Sequence, residues 1–389
     1  MDMKTFDIII IGCGFNGLLC ADYLSDLGLN ICIVDKNTDL EAGFVKDQRT
    51  IALSSVSKSI FEELNIFQKI KDFGIIDYIY TFEKSTKPIL EFSSKQNSGK
   101  PIGYIVRGFE LMQKLYSSIA NKQNITIKTG FEISSLTHDN NFAFINGDIK
   151  ARLALVCDGR NSFCAKLLNN TKYCIDYNQK ALSFVIEHSG EHKNIATEQF
   201  TQHGPFATLP LSNPHQSGVV WSLNEPIASF VKSMPKQKLI IFVNEEIKRM
   251  QNLKSCTNII TDVKDYNLSI SLLRHRNIGR FYFIGDAYNA IHPVAGQAFN
   301  MSLKDIIILK QELQKSISLG LDIGLQAGLS KVSMSCIKHH AILNLSTHFL
   351  VKLYSNQSLC LKLLRTFGLG IFSEIDFLKN LSVGVASGN

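Results

Sequence analysis

No uncharged apolar stretch in this sequence reaches the roughly 18 residues that span a bilayer, so no transmembrane anchor is expected. The first residues run directly into a strand-like segment, so no secretory signal is expected either. The nine cysteines include no CxxC and no zinc-like pairing, which points away from disulfide reductases. Several of them (Cys13, Cys20, Cys32) fall inside apolar segments and read as reduced core residues of a cytoplasmic protein. Clustered charge is also missing. The 41 basic and 34 acidic residues leave a formal +7 that is scattered along the chain, too dilute for nucleic acid but compatible with an anionic membrane surface. What remains, 45% hydrophobic and 19% charged over 389 residues, suffices for a large core in about two domains or one elaborated domain.

The clearest local signal opens the chain. Phe6 to Ile11 is an unbroken apolar run, as expected for a parallel strand covered on both faces. Gly12-Cys13-Gly14-Phe15-Asn16-Gly17 follows, then apolar residues at helical spacing up to Gly28, then the strand-like NICIVD ending on Asp35, 23 positions after Gly12. Strand, GxGxxG, helix, strand and acid together describe a Rossmann dinucleotide unit. Gly12 allows the tight turn, Gly14 lets backbone approach a pyrophosphate, and Gly17 lets helix and strand pack closely. The helix N-terminus offers unpaired N–H groups to phosphate, and Asp35 can hold both ribose hydroxyls, which disfavours a 2′-phosphate. Alone, this unit does not choose between FAD and NAD, and Asp35 could simply end a strand at the surface.

No second GxGxxG occurs, so a second nucleotide would have to be handled without its own fold. Two further strands, in Ala151 to Ser162 and Phe281 to Ile284, run into Asp158-Gly159 and Gly285-Asp286. The second continues into "GDAYNAIHPVAGQAFN", which holds no obvious nucleophile, metal cage or acid/base pair. Between about residues 175 and 275 the rhythm changes to strand-like segments (KALSFVIEH, TEQFT, FATLPL, GVVWSL, KLIIFV, YNLSISLL). With DYIYTFEK and ILEFSS (Asp77 to Ser94) they suggest a mixed or antiparallel inserted sheet. Beyond residue 340 the pattern is helical, with Lys352, Lys362 and Arg365 interspersed, as a covering element, a subunit contact or a membrane-resting surface.

GxGxxG at the start, DG near the middle and GD near residue 285 resemble the class A FAD-dependent aromatic hydroxylases of the p-hydroxybenzoate hydroxylase type. DQRTIALS (Asp47 to Ser54), VRGFEL (Val106 to Leu111), QHGPFATLPLS with GVVWS, and GDAYNAIHPVAGQAFNMSLKD are more closely similar to ubiquinone-biosynthesis hydroxylases of the UbiH/UbiF/VisC type. The similarity runs from about residue 5 to about residue 380. It implies an α/β fold with a Rossmann-type FAD-binding domain (1–75, 101–175, 274–330), an inserted mixed β-sheet substrate domain (76–100, 176–273) and a C-terminal helical region (331–389). It implies bound FAD, NAD(P)H as transient reductant and O2 as co-substrate, with O2 adding at flavin carbon 4a and the distal oxygen passing to an electron-rich ring. The substrate implied is a polyprenylated phenol of ubiquinone biosynthesis. Contact with a membrane surface, with other proteins of that pathway or with a second copy of the chain follows, in a cytoplasmic protein peripheral to the membrane. No nucleic acid and no metal are expected.

The same resemblance assigns site residues. Asp286 would face the ribityl chain, with Gly285 leaving room, although Asp also caps turns. Arg49 would lie near the flavin, Arg107 near the phosphate or ribityl portion, and Asp158 and Gly159 in a fingerprint shared by FAD and NAD(P)H, with Arg160 nearby for charge. His292, Pro293, Gly296 and Gln297 would form a loop against the isoalloxazine ring, with Ala298 and Asn300 beside it. The helix after that loop would aim its positive end at the ring's pyrimidine side. A lone His before Pro is more often structural than catalytic, so no catalytic residue is assigned with certainty. The family's usual GQGxN reads Gly296-Gln297-Ala298-Phe299-Asn300 here, so a methyl stands where glycine permits close approach or a positive φ. Phe206, Leu209, Pro210 and Trp221 would line the substrate pocket. Rival readings are another FAD oxidoreductase on this scaffold (a soluble-aromatic hydroxylase or a prenyl reductase) and a non-catalytic FAD-containing subunit.

Overall fold

The computed structural model describes residues 3–82, 90–201, 203–248, 250, 252–292 and 296–355. In chain order, β1 (Lys4–Ile11) leads into α1 (Phe15–Leu24), and β2 (Ile31–Val34) into α2 (Leu40–Val45). Next come β3 (Thr50–Ser54), α3 (Ser55–Glu63), β4 (Phe73–Ile76), β5 (Tyr78–Phe82), β6 (Leu90–Ser93), β7 (Gly103–Arg107) and α4 (Gly108–Ile119). β8 (Ile125–Lys128), β9 (Leu136–His138), β10 (Ala143–Ile145), β11 (Ile149–Val156) and α5 (Phe163–Leu167) follow. The second half holds β12 (Lys172–His188), β13 (Ile195–Thr201), β14 (Gly204–Pro210), β15 (Gln216–Asn224), α6 (Glu225–Lys232) and α7 (Lys236–Ile247). It ends with β16 (Cys256–Ile259), β17 (Lys264–Leu273), β18 (Asn277–Ile278), β19 (Phe281–Phe283), β20 (Asn289–Ala290), α8 (Ala298–Ser318) and α9 (Gln326–Ser355).

The apolar runs of β1, β2 and β11 form the centre of a sheet ordered β18-β19-β11-β1-β2-β8, parallel from β19 to β8. Ile8, Ile9 and Ile10 are fully buried because this sheet is covered on both faces. α1, α4 and α8 pack on one face through Leu18, Leu111, Leu115 and Leu309. Gly28, at φ +71, ends the extension of α1.

The inserted strands form a second sheet ordered β20-β17-β12-β15-β14-β13-β5-β6, with β16 on β12. It is antiparallel except where β5 joins β13 in parallel, so it is mixed. A small antiparallel sheet, β3-β7-β4, lies between the two. The strand β20, which belongs to the GDAYNAIH stretch, pairs with β17 and so ties the nucleotide half to the inserted sheet. The α/β class with a Rossmann domain, an inserted mixed sheet and C-terminal helix is therefore the observed architecture. α9 accounts for the C-terminal region as far as Ser355, while Lys362 and Arg365 lie outside the described residues.

Two expectations change. KLIIFV is not a strand but the body of α7: Leu239, Val243 and Ile247 fall on one face and bury it, while Ile241 and Phe242 remain exposed. The cysteines described are free and mostly buried, but Cys174 is exposed on β12.

Candidate cofactor site

Sheet order places the C-terminal ends of β19, β11, β1 and β2 side by side. Asp286, Asp158, the Gly12 to Gly17 loop and Asp35 follow those strands in the same order. A crevice outside strand carboxyl ends is where open α/β sheets bind nucleotides. The glycines are each constrained. Gly12 has φ +105, and a Cβ there would sit 2.7 Å from the Cys157 carbonyl oxygen. A Cβ on Gly17 would lie 1.8 Å from the Gly12 carbonyl oxygen, so helix and turn touch through it. Gly14, the N-cap of α1, has no protein atom within 4 Å of such a Cβ. Backbone space at the helix N-terminus is thus left for a ligand, which fits a pyrophosphate.

Asp35 is held over this loop: one oxygen accepts from Cys13 N at 2.7 Å and the other from Asn37 N at 2.8 Å. Along the crevice, three buried side-chain oxygens, Asn16 Oδ1, Gln48 Oε1 and Asp158 Oδ1, have no hydrogen-bond partner. Such acceptors match the hydroxyls and ring N–H of a flavin dinucleotide. Asp158 uses its other oxygen to accept from Cys164 N at 3.0 Å, and Gly159 follows it. Asn16 and Gln48 were not expected from sequence: both fall inside quoted stretches, but neither carries charge and the motif reading assigns them no task.

At the far end, Asp286 lies 3.8 Å from Arg160 Nη2. Burial pushes the Asp286 carboxyl up from the ordinary range, while Arg160, Arg49 and Lys172 pull it down. Arg160 is fixed by the Ser269 carbonyl at 3.0 Å and the Ile291 carbonyl at 3.2 Å. Gly285 does not simply leave room for a polyol: a Cβ there would lie 1.9 Å from Asn16 Nδ2, so its first task is to admit that amide. Arg49 forks onto Asp47 at 2.8 and 2.5 Å and lies 5.4 Å from the ring centroids of both Phe15 and Tyr266. It therefore bridges α1 and the inserted sheet. Arg107 is on the rung opposite Thr50, and its Nε donates to Asp72 at 3.4 Å, so part of its guanidinium is committed to the protein.

The loop before α8 is partly in view; Pro293 lies outside the described residues. His292 is fully buried, meets the Tyr177 ring edge-on at 5.4 Å, and is lowered by burial, with a further push from Arg160, to about 4. It is a neutral imidazole at physiological pH. Gly296 precedes Gln297, the N-cap of α8. Ala298 is the first residue of that helix and does not have a positive φ, so only the question of close approach survives for its methyl. Asn300 does not offer its amide to the crevice. Its Oδ1 accepts from Ser54 N at 2.9 Å and Ser57 Oγ at 2.6 Å, and its Nδ2 donates to Ala52 O at 3.1 Å and Gly296 O at 3.4 Å. The residue pins α8 to β3, 246 positions away in sequence.

The pocket residues divide between the faces of the inserted sheet. Phe206 and Trp221, 5.2 Å apart, belong to the core under α6 and α7, facing away from the crevice. Strand parity explains this correction, since alternate residues face opposite sides. Leu209 faces the small sheet with Ile105 and Val185. The Pro210 carbonyl lies where a Cβ on Gly74 of β4 would stand, so it too is a packing contact.

A second cluster lies behind the crevice. Buried Asp305 accepts from Arg276 Nη2 at 2.6 Å and contacts His339 Nε2 at 2.8 Å and His340 Nε2 at 2.9 Å. The Asp and two His could ligate a metal. The Arg276 guanidinium already supplies the positive charge there, which makes the cluster an ion-pair network joining α8 and α9.

A Rossmann crevice with an adenosine-side acid, a phosphate-binding helix terminus and unpaired acceptors along its flavin half defines a flavin-dinucleotide protein with an inserted sheet. The chain belongs to the FAD-binding domain family, which matches residues 5–319. Among relatives, it is 25% identical to the ubiquinone hydroxylase UbiL of Rhodospirillum rubrum, over 99% of this chain and 90% of that one. It is 26% identical to the ubiquinone biosynthesis monooxygenase COQ6 of Caenorhabditis elegans, over 98% and 96%. Its fold is that of p-nitrophenol 4-monooxygenase PnpA from Pseudomonas putida (TM-score 0.78, 12% identity, 99% and 98% covered) and of PqsL from P. aeruginosa (0.76, 13%, 91% and 97%).

Proposed function

We propose that this chain is an FAD-dependent monooxygenase that takes electrons from NAD(P)H and uses O2 to hydroxylate the ring of a polyprenylated phenol in ubiquinone biosynthesis. The observation that carries the reading is that relatives named as ubiquinone hydroxylases align over nearly the whole chain. The FAD supplies oxygen activation and electron transfer, while the protein binds, orients and excludes water. Gly12, Gly14 and the α1 terminus hold the pyrophosphate, and Asp35 the ribose. Asp158 and Gly159, together with Arg49, Arg107, Gly285 and Asp286, serve the flavin half. Gly296, Gln297 and Ala298 present the α8 N-terminus to the ring, where its positive end favours negative charge. Asn300 acts indirectly, by holding that terminus on β3. His292 is a packing residue of the same loop.

A prenyl tail supports work at a lipid surface, in company with other enzymes of the same pathway or a second copy of the chain. Among the described residues no helix is long and apolar enough to cross a membrane. Exposed Phe230, Ile241 and Phe242 beside Lys232, Lys236 and Lys238 on α6 and α7 suit a peripheral contact.

Purified protein should carry non-covalent FAD and oxidise NAD(P)H faster with 2-geranylphenol than with tail-less 4-hydroxybenzoate, releasing a product one oxygen heavier. Preference for the carboxylate would favour a soluble-aromatic enzyme. A colourless protein that cannot be loaded with FAD would sink the reading.

A further inference from the structure

We propose that Glu198 is the base that takes up the phenolic proton of the substrate; this rests on the hydroxylase reading above. Glu198 stands on β13, on the rung Thr81, Glu198, Ala207, Val220, Ser183. Gly218, two residues from Val220, is on the same face, and a Cβ there would lie 2.7 Å from Thr50 Cγ2. Tyr266, the ladder partner of Ala181, is on that face as well and lies beside Arg49. The start of β3 and the arginine just before it therefore lie over β15 and β17, on the face from which Glu198 projects. Its flanking residues point the other way: Thr197 bonds Thr208 at 2.5 Å, and Gln199 Nε2 donates to Glu246 at 3.1 Å.

The Glu198 face carries mostly short side chains, Ala181, Ser183, Ala207 and Gly218, with Val220 between them. Two polar groups border that stretch without partners. Thr50 Oγ1 is buried and has no hydrogen bond. Glu198, about two strand spacings across and two residues along or roughly 12 Å away, has no hydrogen bond or ion pair among the described residues. Glu198 is only partly exposed, and a carboxylate at that depth in a structural role is normally paired. Its ladder neighbours, Thr81 and Ala207, are not titratable; the charged and titratable groups of this face are Lys264 at the end of the rung and the Arg49–Asp47 pair with Tyr266 beside it. Burial alone pushes the Glu198 carboxyl up to about 7, the range that suits a general base near neutrality.

The step is a balanced proton transfer. The phenolic O–H bond breaks, the proton goes to a Glu198 carboxylate oxygen, and the electron pair stays on the phenol oxygen. From there it raises electron density at the ring carbon, which takes one oxygen atom of O2 as the O–O bond breaks, the other atom leaving as water with the two electrons that NAD(P)H supplies. That carbon then loses its proton to restore aromaticity, and Glu198 releases its own to solvent.

The experiment uses FAD-loaded wild type, E198Q and E198D with 2-geranylphenol as probe, reading the ultraviolet phenolate band of the bound probe and the hydroxylation rate against pH. In the wild type the hydroxylation rate should rise with a midpoint near 7, while the phenol itself stays mostly protonated at that pH. E198Q should bind the probe within a few-fold of wild type, lose that midpoint and hydroxylate about 100-fold or more slowly, with E198D recovering part of both. E198Q should load FAD normally and melt at or above wild type above pH 7, because a desolvated charge has been removed. Wild-type rate and pH profile in E198Q would overturn the assignment. A wild type that neither binds nor hydroxylates the probe while loading FAD would overturn the hydroxylase reading, and this inference with it.

Discussion

Gly14 and Gly17 sit three residues apart in one loop, yet a methyl group would meet nothing at the first and the Gly12 carbonyl oxygen, at 1.8 Å, at the second. The two substitutions should therefore separate cofactor binding from folding. G14A should leave the melting temperature of the FAD-free protein unchanged and weaken FAD at least about tenfold, because the added Cβ projects where backbone must approach phosphate. G17A should destabilise the FAD-free protein itself by about 1–3 kcal/mol or more, since backbone on both sides must move. Melting curves without FAD, paired with fluorescence titration of FAD, would check both; equal melting losses would refute the distinction. The spacing of these glycines made their roles legible in sequence. The task of Asn300 was not legible, because its five partners lie on β3, α3 and its own loop, and only the fold brings them within reach.

At the scale of elements, periodicity was informative where one face dominates and misleading where it does not. β1, β2 and β11 are unbroken apolar runs because both their faces are covered, so they read directly. KLIIFV reads the same way over six residues, and only the helical spacing of Leu239, Val243 and Ile247 over a longer window separates α7 from a strand. The pocket face could not be assigned to Phe206 and Trp221 because alternation gives two faces but not which one meets the crevice. The join between α8 and α9 was equally hidden, as Asp305, His339 and His340 form no sequence motif. Although burial raises the Asp305 carboxyl, Arg276 and the two histidines hold it well below the usual carboxylate range. D305N should leave Arg276 buried without its counter-charge and cost about 3–5 kcal/mol in urea unfolding, with early loss of α9. A change under about 1 kcal/mol would mean the cluster relaxes and does not latch the helices.

The whole molecule carries opposing proton linkages, and their balance sets its acid tolerance. Burial lowers His188, His192, His292 and His340 in the folded state, so the unfolded chain binds protons more readily there. Each contributes stability that is fully present above the unfolded value of about 6.5 and is lost as pH falls toward the folded value. For His292, at about 4, the window runs from about 6.5 down to 4 and is worth about 3 kcal/mol. Glu198 has the opposite sign: raised to about 7, it favours the folded state at low pH and loses that contribution as pH rises from the ordinary carboxylate range to about 7. Those two terms are similar in size, and the partly exposed position of Glu198 reduces its share, so the other three histidines decide the net direction. The protein should therefore lose stability between pH 6.5 and 5, with net proton uptake on unfolding, which calorimetry in buffers of different ionisation enthalpy measures directly. H292Q should flatten that slope, and E198Q should steepen it by removing the opposing term. A melting temperature that rises on acidification through this window would contradict the neutral, buried state assigned to these histidines.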